Sequence, residues 1–208
     1  MMPTAATAAE VKTGLAPEVV ASLQATWAEN GVGTETQKAL ISKLDSGQLL
    51  DAMTGGTPVK TDISTMGTTE KQVQRFADGS INIVKIEGAV APPKGQVSTQ
   101  GVGGCTASGF RRDNCSIDGW FTGVRLGFNA TFVYGTGTGR ILAYSNPVVT
   151  CINGITCSDP VFSMVRKQQS GSLRADLGMY TLYSFIGVGG TNTTYLHLYV
   201  KDHSAYTN

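Results

Sequence analysis

The chain has 208 residues, of which only 15% are charged, and a formal net charge of +1; a nucleic-acid binder would carry a strong basic patch, so that class is set aside. Residues 1–100 hold 8 Lys/Arg against 10 Asp/Glu and residues 101–208 hold 8 against 5, an asymmetry small enough to be a solvated surface. No apolar run approaches the roughly 18 residues that a membrane-spanning helix needs.

The first residues, MMPTAATAAE, carry Ala-Thr-Ala-Ala before a charge, as at the small-residue end of a secretory signal peptide, but the positive start and the apolar core are missing. Residues 1–13 therefore read as a signal-peptide remnant or as a disordered tail. A helical hairpin is expected over 14–56. Pro17 suits a first helical turn, Glu18 complements its positive end, and Val20, Leu23 and Trp27 fall at helical spacing up to Gly31. A second helix opens at Thr34, where Gln37 three residues on suggests a capping box; Leu40, Ile41 and Leu44 form its stripe and Gly47 its stop. A short turn follows at 49–53.

Residues 57–104 read as loop, one β-hairpin (72–87) and a Gly/Pro-rich linker. Asp78-Gly79 gives the hairpin a two-residue turn signal. The stretch from 88 to 104, Gly-Ala-Val-Ala-Pro-Pro-Lys-Gly onwards, keeps no element.

The four cysteines lie in the following half as two tight local pairs, Cys105 with Cys115 and Cys151 with Cys157. The first pair brackets a loop-like stretch, and the second brackets Asn153-Gly154, a strong hairpin signal. Two local disulfides are the simplest reading, with crossed pairing and a four-Cys zinc site as rivals. Zinc ribbons want tighter knuckles than these spacings offer. Disulfides place the chain outside the reducing cell interior.

Residues 105–208 read as an antiparallel β domain. Phe128, Ala130, Phe132 and Tyr134 alternate with polar positions, Thr136–Gly139 turns the chain, and Pro147 marks an edge or a break. Further strands are expected near 161–168, 173–177, 179–186 and 194–201. The fold class is thus α+β, mainly β: a small N-terminal helical hairpin followed by a disulfide-stapled antiparallel sandwich or barrel. The run GVGGC…C, then DGWFTGVRLGFNATF, then a second short Cys loop resembles exported, functionally uncharacterised β-rich proteins of high-GC Gram-positive bacteria. The resemblance covers residues 70–208 and implies secretion; it brings no catalytic motif.

The chain holds no G-x-S-x-G, S-x-x-K, P-loop or H-E-x-x-H motif. His197 and His203 are its two histidines; Asp202, His203 and Ser204 are adjacent, but neighbours on a chain tail rarely face one another productively. No metal or other cofactor is expected. Asp113, Asn114 and Asp118 set oxygen ligands close together, as a Ca²⁺ loop would, yet their spacing fits no EF-hand. Asp113, Asp118, Asp159, Asp176 and Asp202 are the second half's carboxylates, and two of them meeting across a cleft would suit glycoside chemistry.

The strongest functional pattern is on the last expected strand. Tyr195, His197, Tyr199 and Lys201 share one face, and Leu196, Leu198 and Val200 the other, which belongs in the core. Flat rings with polar tips suit a sugar or peptide surface, and Trp120 is a further candidate of the same kind. The expected function is therefore a non-catalytic secreted module that binds a polysaccharide, cell wall or protein partner. Two alternatives stand beside it: an extracellular hydrolase whose carboxylate or His-Asp site forms only in the fold, and a toxin or self-assembling structural subunit.

Overall fold

The computed structural model describes residues 14–88, 105–186 and 190–207. The tail or signal remnant expected over 1–13 and, of the linker expected over 88–104, residues 89–104 lie outside the described residues. The chain is mainly β, with two helices at its N-terminal end.

Helix α1 (Pro17–Glu29) begins on Pro17, and its buried stripe is Val19, Leu23 and Trp27. Val20, expected in that stripe, is only half-buried, because a four-residue step from Trp27 through Leu23 ends on Val19. Helix α2 (Thr34–Asp45) buries Leu40 and Leu44 together with Gln37. The capping box does not form. Gly33, not Thr34, is the N-cap, and the Gln37 amide instead donates to the Val32 carbonyl at 2.8 Å. Gly47, at φ +78°, ends the helix, and a 3₁₀ turn follows at Asp51–Met53.

Two antiparallel sheets follow. The seven-stranded first sheet runs β1 (Lys60–Met66), β2 (Thr69–Arg75), β3 (Ile81–Ile86), β5 (Arg111–Phe121), β6 (Val124–Gly135) and β7 (Thr138–Cys151), with the short β4 (Thr106–Ser108) also on β5. The second sheet runs β12 (Ser204–Thr207), β11 (Asn192–Lys201), β10 (Ala175–Phe185) and β8 (Ile155–Cys157), with β9 (Val161–Arg166) also on β10. β3 pairs with β5, so one sheet continues across the stretch read as a linker.

β1 stands where a loop was expected. It pairs with β2 over seven positions, but nearly all its residues are exposed, so it shows no alternation in sequence. The loop-like stretch inside the first cysteine pair is likewise a hairpin: Ser108 pairs with Arg111 around Gly109-Phe110, with Gly109 at φ +57°. β10 is one continuous strand where two were expected, and β12 was read as tail.

The inner faces of the two sheets meet in one core. Val84, Ile86, Ile117, Phe128, Phe132 and Tyr134 of the first face Leu177, Met179, Leu196, Leu198 and Val200 of the second. Phe128 and Phe162 meet edge to face at 5.5 Å. The arrangement is a sandwich rather than a closed barrel.

Both cystines are local, Cys105–Cys115 and Cys151–Cys157, and no cysteine is free. Cys105–Cys115 closes the open end of the β4–β5 hairpin. Cys151–Cys157 joins β7 of the first sheet to β8 of the second, across a turn in which the Ile155 amide donates to the Ile152 carbonyl. Asn153-Gly154 therefore turns the chain at a corner between sheets, not inside a two-stranded ladder. β7 also bonds along its start to 167–169, beyond β9, which ties the same side of the sandwich. It is the edge strand of its sheet, and its ladder is irregular around Asn146-Pro147.

The helical hairpin shares the same core and lies over the outer face of the first sheet. Lys71 and Arg75, on that face of β2, donate to the Asn30 side chain and carbonyl at 2.7 and 2.8 Å. Val73, Ile81 and Ile83 are buried on the same face.

Candidate binding face

The outer face of the second sheet follows from β-strand alternation and register. Leu196, Leu198 and Val200 are fully buried, as expected, which turns Tyr195, His197, Tyr199 and Lys201 outwards. On β10, Ala175, Leu177 and Met179 point inwards, so Asp176, Gly178 and Tyr180 join the outer face. The pairs Asp176–Tyr199, Gly178–His197 and Tyr180–Tyr195 place these residues side by side. On β12, Tyr206 stands opposite Tyr199.

A continuous row of rings results. Centroid separations are 5.6 Å from Tyr180 to Tyr195, 6.2 Å on to His197, 5.3 Å on to Tyr199 and 5.4 Å on to Tyr206. His197 and Tyr199 are stacked.

His197 is the fixed centre of the row. Its Nδ1–H donates to the Asp176 carboxylate at 2.8 Å, since a carboxylate can only accept. Its ring lies over Gly178, where an added Cβ would come within 2.9 Å of the imidazole. The row's two ends differ. At one, the Arg174 guanidinium sits 3.4 Å above the Tyr199 ring and donates to the Tyr206 hydroxyl at 3.3 Å, so Tyr199 is buried beneath a cation. Burial pushes the Tyr199 phenol up, although the Arg174 charge works against the shift. At the other end, Tyr195 is 50% exposed, with Leu182 (44%) and Val161 (45%) beside it and beside Tyr180, so this is the accessible end.

Lys201 shares the face beyond Tyr199 and is partly exposed. Trp120 does not join the row. Ile117, Gly119 and Phe121 point into the core, which puts Trp120 on the outer face of the first sheet, next to Ile83 and partly buried.

Asp113 and Asp118 do not converge as a pair. Asp113 accepts from Arg111 and Asp118 from Arg125, and five residues of strand separate them by roughly 16 Å. Asp202 accepts from Gln169 and the Gly137 amide, and His203 meets the Thr136 hydroxyl at 3.0 Å, so Asp202-His203-Ser204 is not a catalytic unit. Among the described residues, no cluster of three or more His, Cys, Asp or Glu side chains is grouped to hold a metal ion.

Sequence reasoning missed Tyr180, Arg174 and Tyr206, and named Asp176 only as a carboxylate, not as a partner of His197. Splitting β10 near residue 178 broke the alternation that puts Asp176 and Tyr180 on one face, and reading 202–208 as tail hid the strand that carries Tyr206. Arg174, which precedes β10, gave no signal.

Fold and face together define a disulfide-stapled antiparallel β-sandwich with an aromatic row on the outer face of its second sheet. No protein-family model, curated protein or solved structure matches this chain. Among the described residues, no helix is long and apolar enough to cross a membrane.

Proposed function

We propose that this chain is a non-catalytic module that works outside the cell and holds a surface polysaccharide along the tyrosine row, with a protein surface as the competing occupant. One observation carries the reading: five rings from three neighbouring strands form an unbroken row on a sheet face whose Tyr180–Tyr195 end is open to solvent. Rings with polar tips bring both a flat apolar surface and hydrogen-bonding groups, which is what a chain of sugars offers in return. The two local disulfides support an oxidising location.

The test is retention of the purified chain on insoluble neutral polysaccharides and cell-wall material. Tyr180→Ala combined with Tyr195→Ala is expected to weaken retention at least tenfold while leaving the thermal midpoint nearly unchanged. Retention equal to that of the wild type removes the row from the account.

A second reading has its own observation. His197 and Asp176 form a hydrogen-bonded pair, and Ser163 of β9 stands opposite Gly178, across that residue from His197 on the same face. A serine, a histidine and an orienting carboxylate are the parts of a hydrolase. Profiling ester and amide substrates with His197→Gln separates the two: turnover that is lost with this single change favours the enzyme, and an absence of wild-type turnover favours the binding module.

A further inference from the structure

Among the described residues, β1 is the one long edge strand that nothing interrupts. It stands at the end of its sheet and pairs with β2 over seven consecutive positions without a register shift. The other edges are short or broken. β4 and β8 have three residues each and β12 has four. β9 is interrupted by a register shift at Asp176/Leu177, and β7 by two shifts and Pro147. Folded proteins blunt their sheet edges with such devices, because an open edge recruits a further strand.

Strand parity shows which backbone groups of β1 are open. The Phe76 amide donates to the Ser80 carbonyl, so Phe76 faces β3. By alternation Arg75, Val73, Lys71 and Thr69 face β1. Their partners Lys60, Asp62, Ser64 and Met66 therefore bond to β2. The N–H and C=O groups of Thr61, Ile63 and Thr65 point away from the sheet, at intervals of roughly 7 Å. Six of the strand's seven residues are exposed. Ile63 is exposed at 62%, Met66 at 84% and Val59, just ahead of the strand, at 68%.

We propose that a second copy of the chain closes this edge, β1 against β1 in antiparallel pairing about a two-fold axis at Ile63. The strand is complementary to itself in that register. Thr61 stands opposite Thr65 of the second copy, Ile63 opposite Ile63 and Thr65 opposite Thr61, so every outward N–H and C=O finds a partner. Lys60 then faces Met66 and Asp62 faces Ser64, and no like charges meet. Sliding the pairing one step towards the strand's start sets Asp62 against Asp62. It also turns Thr65 onto Val59, whose amide already donates to the Arg75 carbonyl. Sliding it the other way carries Thr61 past the strand's end onto Gly67. The result is an isologous dimer, in which one patch meets its own copy. The two-fold axis of an antiparallel pair stands normal to the sheet, so both second sheets lie on the same side and both ring rows face the same way. On the reading of the row as a polysaccharide surface, which this last consequence alone requires, the dimer is bivalent towards a polymer.

Sedimentation velocity on the full chain, at up to about 1 mM, tests the pairing. The wild type is expected to dimerise as concentration rises. Ile63→Lys sets two cations side by side at the axis, and Thr65→Pro removes an outward N–H at an edge position where proline is tolerated. Both are expected to weaken the dimer at least tenfold. Circular dichroism and the thermal midpoint are expected to stay as in the wild type, since both positions face solvent in a single chain. In a sample mixing isotope-labelled and unlabelled chains, NMR is expected to show a contact between Asp62 Hα of one copy and Ser64 Hα of the other, the close approach of a non-hydrogen-bonded pair. A wild type that stays monomeric at that concentration overturns the inference. So does a dimer that survives both variants, or one that is lost with Tyr195→Ala instead. The row is scored separately by oligosaccharide binding, which Tyr180→Ala is expected to weaken and Ile63→Lys to leave unchanged, so the failure of either reading is seen without the other.

Discussion

Gly178 is the residue on which the row depends. Its backbone is not in the left-handed region, so its role is space alone. A Cβ there would lie 2.9 Å from His197 Cε1 and 3.3 Å from both ring nitrogens. With no side chain beneath it, the imidazole lies across the strand, stacks on Tyr199 at 5.3 Å and bonds Asp176 at 2.8 Å. Gly178→Ala is therefore expected to lift the ring, break the bond to Asp176 and interrupt the row. The expected stability loss is about 1–2 kcal/mol, in the range of mild overpacking. Imidazole nitrogen shifts report the loss of the Asp176 bond, and unchanged shifts would show that the ring does not need the gap. Alternation placed Tyr195, His197, Tyr199 and Lys201 on one face because strand geometry has a period of two. It gave no sign of the cation above Tyr199. Arg174 reaches that ring from outside the strand, and a contact between distant residues leaves no local pattern.

Among elements, the helical hairpin is joined to the β2–β3 turn through the carboxylates of Asp78 and Asp51, whose Oδ2 accepts from the Asp78 amide at 3.2 Å. Asp78 accepts from Lys43 of α2 at 2.8 Å and from the Asp51 amide of the 3₁₀ turn at 2.9 Å. It also holds the Ser80 side chain and amide. Burial works against its ionisation, but the hydrogen bonds from Lys43, Ser80 and the Asp51 amide outweigh it and hold the carboxyl at about 2. Because the folded value lies below the ordinary 3.8, this stabilisation is fully present above about pH 4 and is lost as pH falls towards 2. Its size is on the order of 2 kcal/mol. Thermal melts should show the wild type losing stability over that window. Asp78→Asn should be less stable at neutral pH and flatter below pH 4; parallel curves for the two would contradict the assignment.

The same turn shows how far local signals carry. Asp78-Gly79 marked the hairpin, but the turn spans three residues. The Gly79 amide donates to the Phe76 carbonyl, the Phe76 amide donates to the Ser80 carbonyl, and Gly79 sits at φ +85°. This is a type I turn closed by a glycine bulge. Asn153-Gly154 also marked a true turn, yet its flanking strands lie in different sheets, which no dipeptide encodes. The cystine that spans it acts as an inter-sheet clamp, and each of these short disulfide loops contributes roughly 2–3 kcal/mol in the chain-entropy account. β1 was invisible because an exposed edge strand has no reason to alternate.

For the whole molecule, the two outer faces have different fates. The helical hairpin covers part of the first sheet's outer face, over Val73, Ile81 and Ile83. The second sheet keeps Tyr195, Leu182 and Val161 exposed. The mainly β class, the N-terminal helices and both cystines were legible in the sequence, since composition, helical spacing and cysteine spacing are local properties. The packing of the hairpin on the sheet and the five-ring row were not. Each depends on register between strands far apart in the chain.

Amide shift mapping with a soluble neutral oligosaccharide tests the central claim most directly. The account expects perturbed amides to concentrate in residues 176–182 and 193–199, fading with distance from Tyr195. Perturbations centred on Trp120 and residues 71–83, or none at oligosaccharide concentrations that saturate retention, would contradict it.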